Sequence, residues 1–158
     1  MSERLRAELR QNKPFSSLEQ AALLGIARTA AVLDHAVAEG LRPYGVTPTQ
    51  YNVLRILRGA GAAGLCRAEV RDRMISPVAD VTRLLDRLAD AGYVARVRDA
   101  EDRRYVTARI TADGLALLER ADGMVQRLQK DLLGHLSQTK LKQLVALLDE
   151  ARPVPAGV

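Results

Sequence analysis

The stretch VRDAEDRRYVTARITADG, residues 97–114, sets Arg103 and Arg104 beside Asp99, Glu101 and Asp102, between two β-rich segments. A hairpin tip is solvated, so two cations there serve no core. They are either a solubility device or a probe for something negative. A guanidinium stays charged at any physiological pH, and its planar fork matches phosphate and guanine edges. Asp99 and Asp102 oppose that reading only superficially. A carboxylate that pairs with one neighbouring arginine stiffens the tip and leaves the other arginine free.

A second set of arginines falls on the segment from Ser76 to Ala91. Ser76-Pro77 has the form of an N-cap followed by proline in the first helical position, and Gly92 supplies a stop. On that wheel Val81, Leu85 and Leu88 fall together, with Val78 and Leu84 at the edges. Ser76, Ala79, Arg83, Asp86, Arg87 and Asp90 lie opposite, and Asp80 sits near their edge. Small residues early and arginines in the middle suit a helix that enters a major groove. The competing reading is a solvated helix on which Asp86 and Asp90 flank Arg87 as intrahelical ion pairs.

Other reactive side chains form no comparable set. His35 and His135 stand alone, and no H-E-x-x-H or paired His/Cys spacing occurs, so neither a metal nor another cofactor is expected. A mixed site of Asp34, His35 and Cys66 would need two separate segments to converge. Cys66 beside Arg67 could be an oxidant sensor if its thiol were acidified, but a small apolar core residue is the simpler role. His35, Tyr44, Tyr51 and Arg55 could line a pocket for an aromatic acid; alternatively Tyr51 is core and Arg55 is solvated or touches phosphate. No Gly-rich phosphate loop and no Ser/His/Asp set is visible, so the chain is not expected to be an enzyme.

Positioning these residues falls to a chain of 158 residues, 47% apolar and 27% charged, with a single Phe and no Trp. Its core must come from Leu, Val, Ala and Ile, as in packed helices. A formal charge of +5 and a pI near 9.8 favour an anionic partner, of which nucleic acid is the commonest. One cysteine excludes an intrachain disulfide, no apolar leader precedes Ser17, and the uninterrupted apolar runs are too short to cross a bilayer. A cytoplasmic protein without membrane contact is expected.

Capping signals divide the chain. A polar arm leads to Ser17-x-x-Gln20, which opens a helix to about Gly40; Thr47-Pro48-Thr-Gln50 opens another that ends near Gly59. AGAAG is a flexible connection, Arg67–Met74 a short helix anchored by Leu65 and Val70, and Tyr93–Arg98 with Tyr105–Ile110 two strands. Thr111 caps a helix over 112–133, and Ser137 a last one that stops at Pro153. Helix, turn, helix and a two-stranded hairpin is the winged helix-turn-helix order. The fold class predicted is mainly α with a small two-stranded β wing. The divisions are 1–40 for an N-terminal arm and dimerisation helix, 41–110 for a DNA-binding lobe, and 111–158 for C-terminal dimerisation helices. Leu18, Ala22, Ile26 and Leu33, with Leu136, Leu141, Leu144 and Leu148, recur at helical spacing, as expected of stripes buried against a second copy; the alternative is ordinary packing within one chain.

DAEDRRYVTARITADG resembles the wing signature of the MarR family of transcriptional regulators, D-x-x-D-R-R followed by a strand and I/L-T-x-x-G. VTRLLDRLADAGYVAR is similar to that family's recognition helix, and TPTQYNVLRIL to its preceding helix. The resemblance covers about Ser17 to Ala151. It implies a homodimer joined by its first and last helices, bound to double-stranded DNA at a pseudo-palindromic operator and released by a small aromatic or phenolic effector. It implies DNA contacts from Ser76, Ala79, Thr82, Arg83 and Arg87 in the helix, and from Arg98, Arg103 and Arg104 in the wing. Asp80 departs from the pattern, standing where a small hydroxyl residue is usual; it could accept from cytosine N4 or act as a negative filter. A transcriptional repressor is the expectation, and a winged-helix protein-docking module without DNA binding the alternative.

Overall fold

The computed structural model describes residues 3–98 and 106–152. Asp99, Glu101, Asp102, Arg103 and Arg104 therefore lie outside the described residues, as do Tyr105 and Pro153. The helices are α1 (Glu3–Glu8), α2 (Leu18–Leu41), α3 (Pro48–Ala60), α4 (Arg67–Arg73), α5 (Val81–Asp90), α6 (Ala112–Leu133) and α7 (Gln138–Ala151). The strands are β1 (Leu65–Cys66), β2 (Val94–Arg98) and β3 (Val106–Ile110).

Most helix starts follow from one side chain each. The Ser17, Thr47, Thr111 and Ser137 side chains each accept from a backbone N–H three residues on, satisfying a donor that the helix cannot pair internally. At α3 the box is reciprocal, because Gln50 also accepts from the Thr47 N–H at 2.9 Å. At α2 it is not: Gln20 Oε1 accepts instead from the N–H and hydroxyl of Ser16.

The reading helix is a correction. Its sequence signature places the start at Ser76-Pro77, yet α5 begins at Val81, and Asp80 Oδ1 accepts from the Arg83 N–H at 2.9 Å as the N-cap. Two features hold the preceding segment out of the helix. Met74 is buried at the end of α4, and Asn52 Oδ1 accepts the Ile75 N–H at 3.1 Å. Asp80 thus serves the helix backbone through Oδ1. Asp80→Ala is expected to cost about 0.5–2 kcal/mol in urea melts while Asp80→Asn stays near wild type, since both Asp and Asn carry a capping oxygen. Equal losses from the two would contradict the capping role.

The two strands expected of the wing are present as β2 and β3, and a third strand that the sequence did not announce, β1, joins them in the antiparallel order β1-β3-β2. Val94 to Arg98 register against Ile110 to Val106, and Leu65 and Cys66 pair with Ala108 and Thr107. Gly64 makes the third strand possible. Its φ of +70° is left-handed, and a Cβ there would lie 2.6 Å from the Ala108 carbonyl oxygen.

One core joins these elements. Val53, Leu54 and Leu57 of α3, Val70 of α4, Val81, Leu85 and Leu88 of α5, and Leu117, Leu118 and Ala121 of α6 are all buried, with Leu65 and Val94 from the sheet. The apolar stripe predicted for α5 is the buried one, and α6 begins inside the same core.

The outer helices differ. Leu41 is the only buried residue of α2, and α7 has none. The expectation that nothing is long and apolar enough to span a bilayer is corrected here. Leu18–Tyr44, 27 residues, passes by length and composition, and none of its most apolar window is buried. Uninterrupted runs understate such a helix because Glu19, Arg28 and Asp34 break the runs without offsetting its many alanines and leucines.

Candidate nucleic-acid interface and adjoining cavity

Two of the carboxylates along α5 are turned away from its arginines, while Asp90 is exposed at its last turn and forms no ion pair with the described residues. Asp86 pairs with Arg96 of β2, not with Arg87, and Asp80 is occupied as the cap. The solvated-helix reading pairs Arg87 with Asp86 and Asp90, and neither pair forms among the described residues. Arg83 and Arg87 are exposed and form no ion pair with the described residues. Thr82 is half-buried and accepts a hydrogen bond from Arg67 Nη1 at 3.3 Å. Arg98 is exposed at the end of β2, where the chain leaves toward the wing. Ser76 and Ala79 are exposed but lie in the lead-in segment rather than on the helix.

Behind this surface is a cavity of about 570 Å³, walled by α2, α3, α6 and the turn at Ile75-Ser76. His35, Tyr51 and Arg55 line it, as expected from the sequence, and Ser76 lies at the same wall. Tyr44 does not, and that expectation is corrected: its ring packs against the core from the short 3-10 turn Arg42–Tyr44. Sequence reading missed Asn52 of α3, and Val125 and Gln129, which the packing of α6 brings to the same cavity as His35. Apolar wall comes from Val37, Ala38, Val125 and Ile75, the last 83% exposed. The Arg55 guanidinium carbon lies 6.0 Å from the Tyr51 ring centroid, within cation–π reach. Among the described residues no group of three or more His, Cys, Asp or Glu converges to hold a metal. Cys66 is half-buried in β1, and its N–H donates to Glu69 Oε2 at 2.8 Å.

Tyr51 also anchors the cavity to α6. Its hydroxyl donates to Asp122 Oδ1 at 2.7 Å, and Arg58 Nη1 meets Asp122 Oδ2 at 2.6 Å. Burial, reinforced by the adjacent carboxylate, pushes the Tyr51 hydroxyl from 10.0 up to about 12. Burial alone would raise the Asp122 carboxyl too, but the bonds from Tyr51 and Arg58 outweigh it and hold it below its ordinary value. The two shifts act at opposite ends of the pH scale. Tyr51 is raised, so its contribution is complete below pH 10 and is lost as pH rises toward 12. Asp122 is lowered, so its contribution is present above its unfolded value and is lost as pH falls through the folded one. Urea melts between pH 9 and 12 are expected to show on the order of 2 kcal/mol of alkaline destabilisation from Tyr51. Tyr51→Phe should remove that alkaline component; an unchanged alkaline slope would contradict the assignment.

Comparison with known proteins agrees with this geometry. Residues 44–104 match the model of the MarR family. The chain is 32% identical to the HTH-type transcriptional repressor Rv2887 of Mycobacterium tuberculosis over 124 residues, which is 78% of this chain and 87% of that protein. Its fold superposes on a MarR transcription factor from Planctomyces limnophilus with a TM-score of 0.67 at 36% identity, covering 87% of this chain and all of that one. It superposes on a variant of Escherichia coli MarR complexed with operator DNA with a TM-score of 0.76 at 30% identity, covering 87% and 100%. The chain belongs to the MarR family and is a winged helix-turn-helix transcriptional regulator.

Proposed function

We propose that two copies of this chain bind one pseudo-palindromic DNA operator and repress transcription from it in the cytoplasm, until a small ligand releases them. One observation carries the reading. Arg83 and Arg87 stand exposed, without an ion-pair partner among the described residues, on a helix whose opposite face is locked in the core, while Arg96 draws off the neighbouring Asp86. Arg83 and Arg87 then meet bases or phosphates in the major groove. Ser76 and Ala79 flank that entry, and Arg98, Arg103 and Arg104 extend the contact along the wing, with Asp99 and Asp102 stiffening it.

The uncovered helices support the dimer. Leu18, Leu23, Ile26 and Val32 of α2, with Leu144, Val145 and Leu147 of α7, are exposed in a single chain. A 14-residue helix with no buried residue is marginal on its own in water. A second copy covers both by a twofold, self-complementary contact, and the apolar α2 needs a protein partner rather than lipid. The divisions are then 1–40 and 111–158 for assembly and 41–110 for the DNA-binding lobe, with α6 rooted in both.

The cavity suits an aromatic or phenolic anion. Tyr51 and the apolar wall take the ring, while Arg55 and His35 offer donors to the charge. Because the cavity touches both α2 and the turn leading into α5, a ligand that prefers a different spacing of the two reading helices weakens DNA binding by that preference. Selection of duplexes from a random pool, followed by binding titrations with and without aromatic carboxylates, tests the whole reading. Enrichment of an inverted repeat is expected, and a pool that stays random would overturn it.

A further inference from the structure

We propose that Arg67, outside the arginines of α5 and the wing, contacts DNA as one unit with Thr82, and that it fixes the Thr82 hydroxyl as a hydrogen-bond donor. The proposal rests on the DNA-binding reading above. Arg67 is the first residue of α4 and Thr82 the second of α5, so their bond ties the two helices of the helix-turn-helix together at their N-terminal ends. The base of Arg67 is well anchored. Cys66 before it is paired into the sheet with Thr107, and its N–H is held by Glu69.

The chemistry follows from what each group has left. A guanidinium carries five N–H donors, and among the described residues Arg67 directs one to Thr82 and enters no ion pair. The rest of its fork, exposed beside the reading helix, suits a phosphate oxygen. Thr82 Oγ1 accepts from that cation, and among the described residues its own O–H donates to no other group. A charge-assisted bond into an oxygen weakens it as an acceptor and strengthens its O–H as a donor. The first turn of α5 therefore offers DNA a donor. That donor fits an acceptor, either a base edge (purine N7, guanine O6, thymine O4) or a phosphate oxygen. It disfavours the amino groups of cytosine and adenine, which are donors themselves.

The test uses the full-length protein and a duplex selected from a random pool by the wild type. Affinities are measured for wild type, R67A, T82V, T82S and the R67A/T82V double variant, with thermal melts verifying that each stays folded. R67A and T82V are each expected to weaken binding roughly ten-fold or more, T82S to stay near wild type, and the double variant to lose at least five-fold less than the product of the singles. Single substitutions in the duplex then separate the two acceptors: 7-deazapurine removes purine N7, 2-aminopurine removes guanine O6, 5-methyl-2-pyrimidinone removes thymine O4, and methylphosphonate removes a phosphate oxygen. The modification whose effect disappears in T82V marks the base or the phosphate, and the same modification should lose its effect in R67A. Losses that multiply independently, or duplex modifications felt equally by T82V and wild type, overturn the pair while leaving DNA binding intact. A wild-type protein that enriches no duplex overturns the DNA-binding reading, and the pair with it.

Discussion

Replacing Arg83 or Arg87 with alanine is expected to weaken operator binding by roughly thirty-fold or more. A well-made arginine–base contact is worth about 1–3 kcal/mol, and a twofold dimer forfeits it at both half-sites. The fold should not notice. Both side chains are exposed and form no ion pair with the described residues, so melts should shift by less than about 0.5 kcal/mol. A base contact shows itself as relaxed discrimination at particular positions, a phosphate contact as uniform weakening with a shallower salt dependence. Arg103→Ala with Arg104→Ala provides the comparison. For every phosphate that an arginine no longer neutralises, the slope of log affinity against log salt should fall by about 0.9. Unchanged affinity and slope in that variant would return the wing arginines to the role of a solubility device.

Placing a carboxylate at Ile26 and another at Leu144 should take the dimer apart. Both side chains are exposed in one chain, on α2, which buries only Leu41, and on α7, which buries no residue. In a twofold interface each Ile26→Glu/Leu144→Glu chain brings two new charges, so four must be desolvated without partners. Unfavourable charge of that kind costs several kcal/mol, which raises the dimer dissociation constant by roughly a thousand-fold. Light scattering at micromolar concentration should then fall from twice the chain mass to a single 17.3 kDa chain. DNA affinity should drop with it, because one lobe reads one half-site. A variant that remains dimeric would place the interface elsewhere.

What is legible in the sequence is local. Thr47, Thr111 and Ser137 each announce a helix by one side chain and its spacing, and α6 begins and ends where its sequence signals place it. The apolar period of α5 identifies Val81, Leu85 and Leu88 as its buried face without knowing where the helix starts. The start itself is not legible. Ser76 before Pro77 and Asp80 before Val81 are both competent caps. The choice is made by burial of Met74 and by the bond from Ile75 to Asn52, 23 residues away. Two-residue β1 has no periodicity to read, and its existence depends on Ala108 coming close to Gly64.

The candidate site divides the same way. Arg83 and Arg87 are visible as a face of one helix, but their freedom depends on Arg96, a strand residue that captures Asp86. Tyr51 is open between core and cavity in the sequence, and the structure makes it both: 6% exposed, with its hydroxyl on Asp122 and its ring beside Arg55. That bond joins residues 71 positions apart, and no local pattern encodes it.

The central claim, that two chains read one duplex through a cationic face, is tested most directly by titrating the wild-type protein into its selected duplex across a range of salt concentrations. Saturation at two chains per duplex is predicted, with log affinity falling linearly against log salt and a slope of several units. Binding that never saturates, or that is equally tight for a scrambled duplex at every salt concentration, would contradict the account.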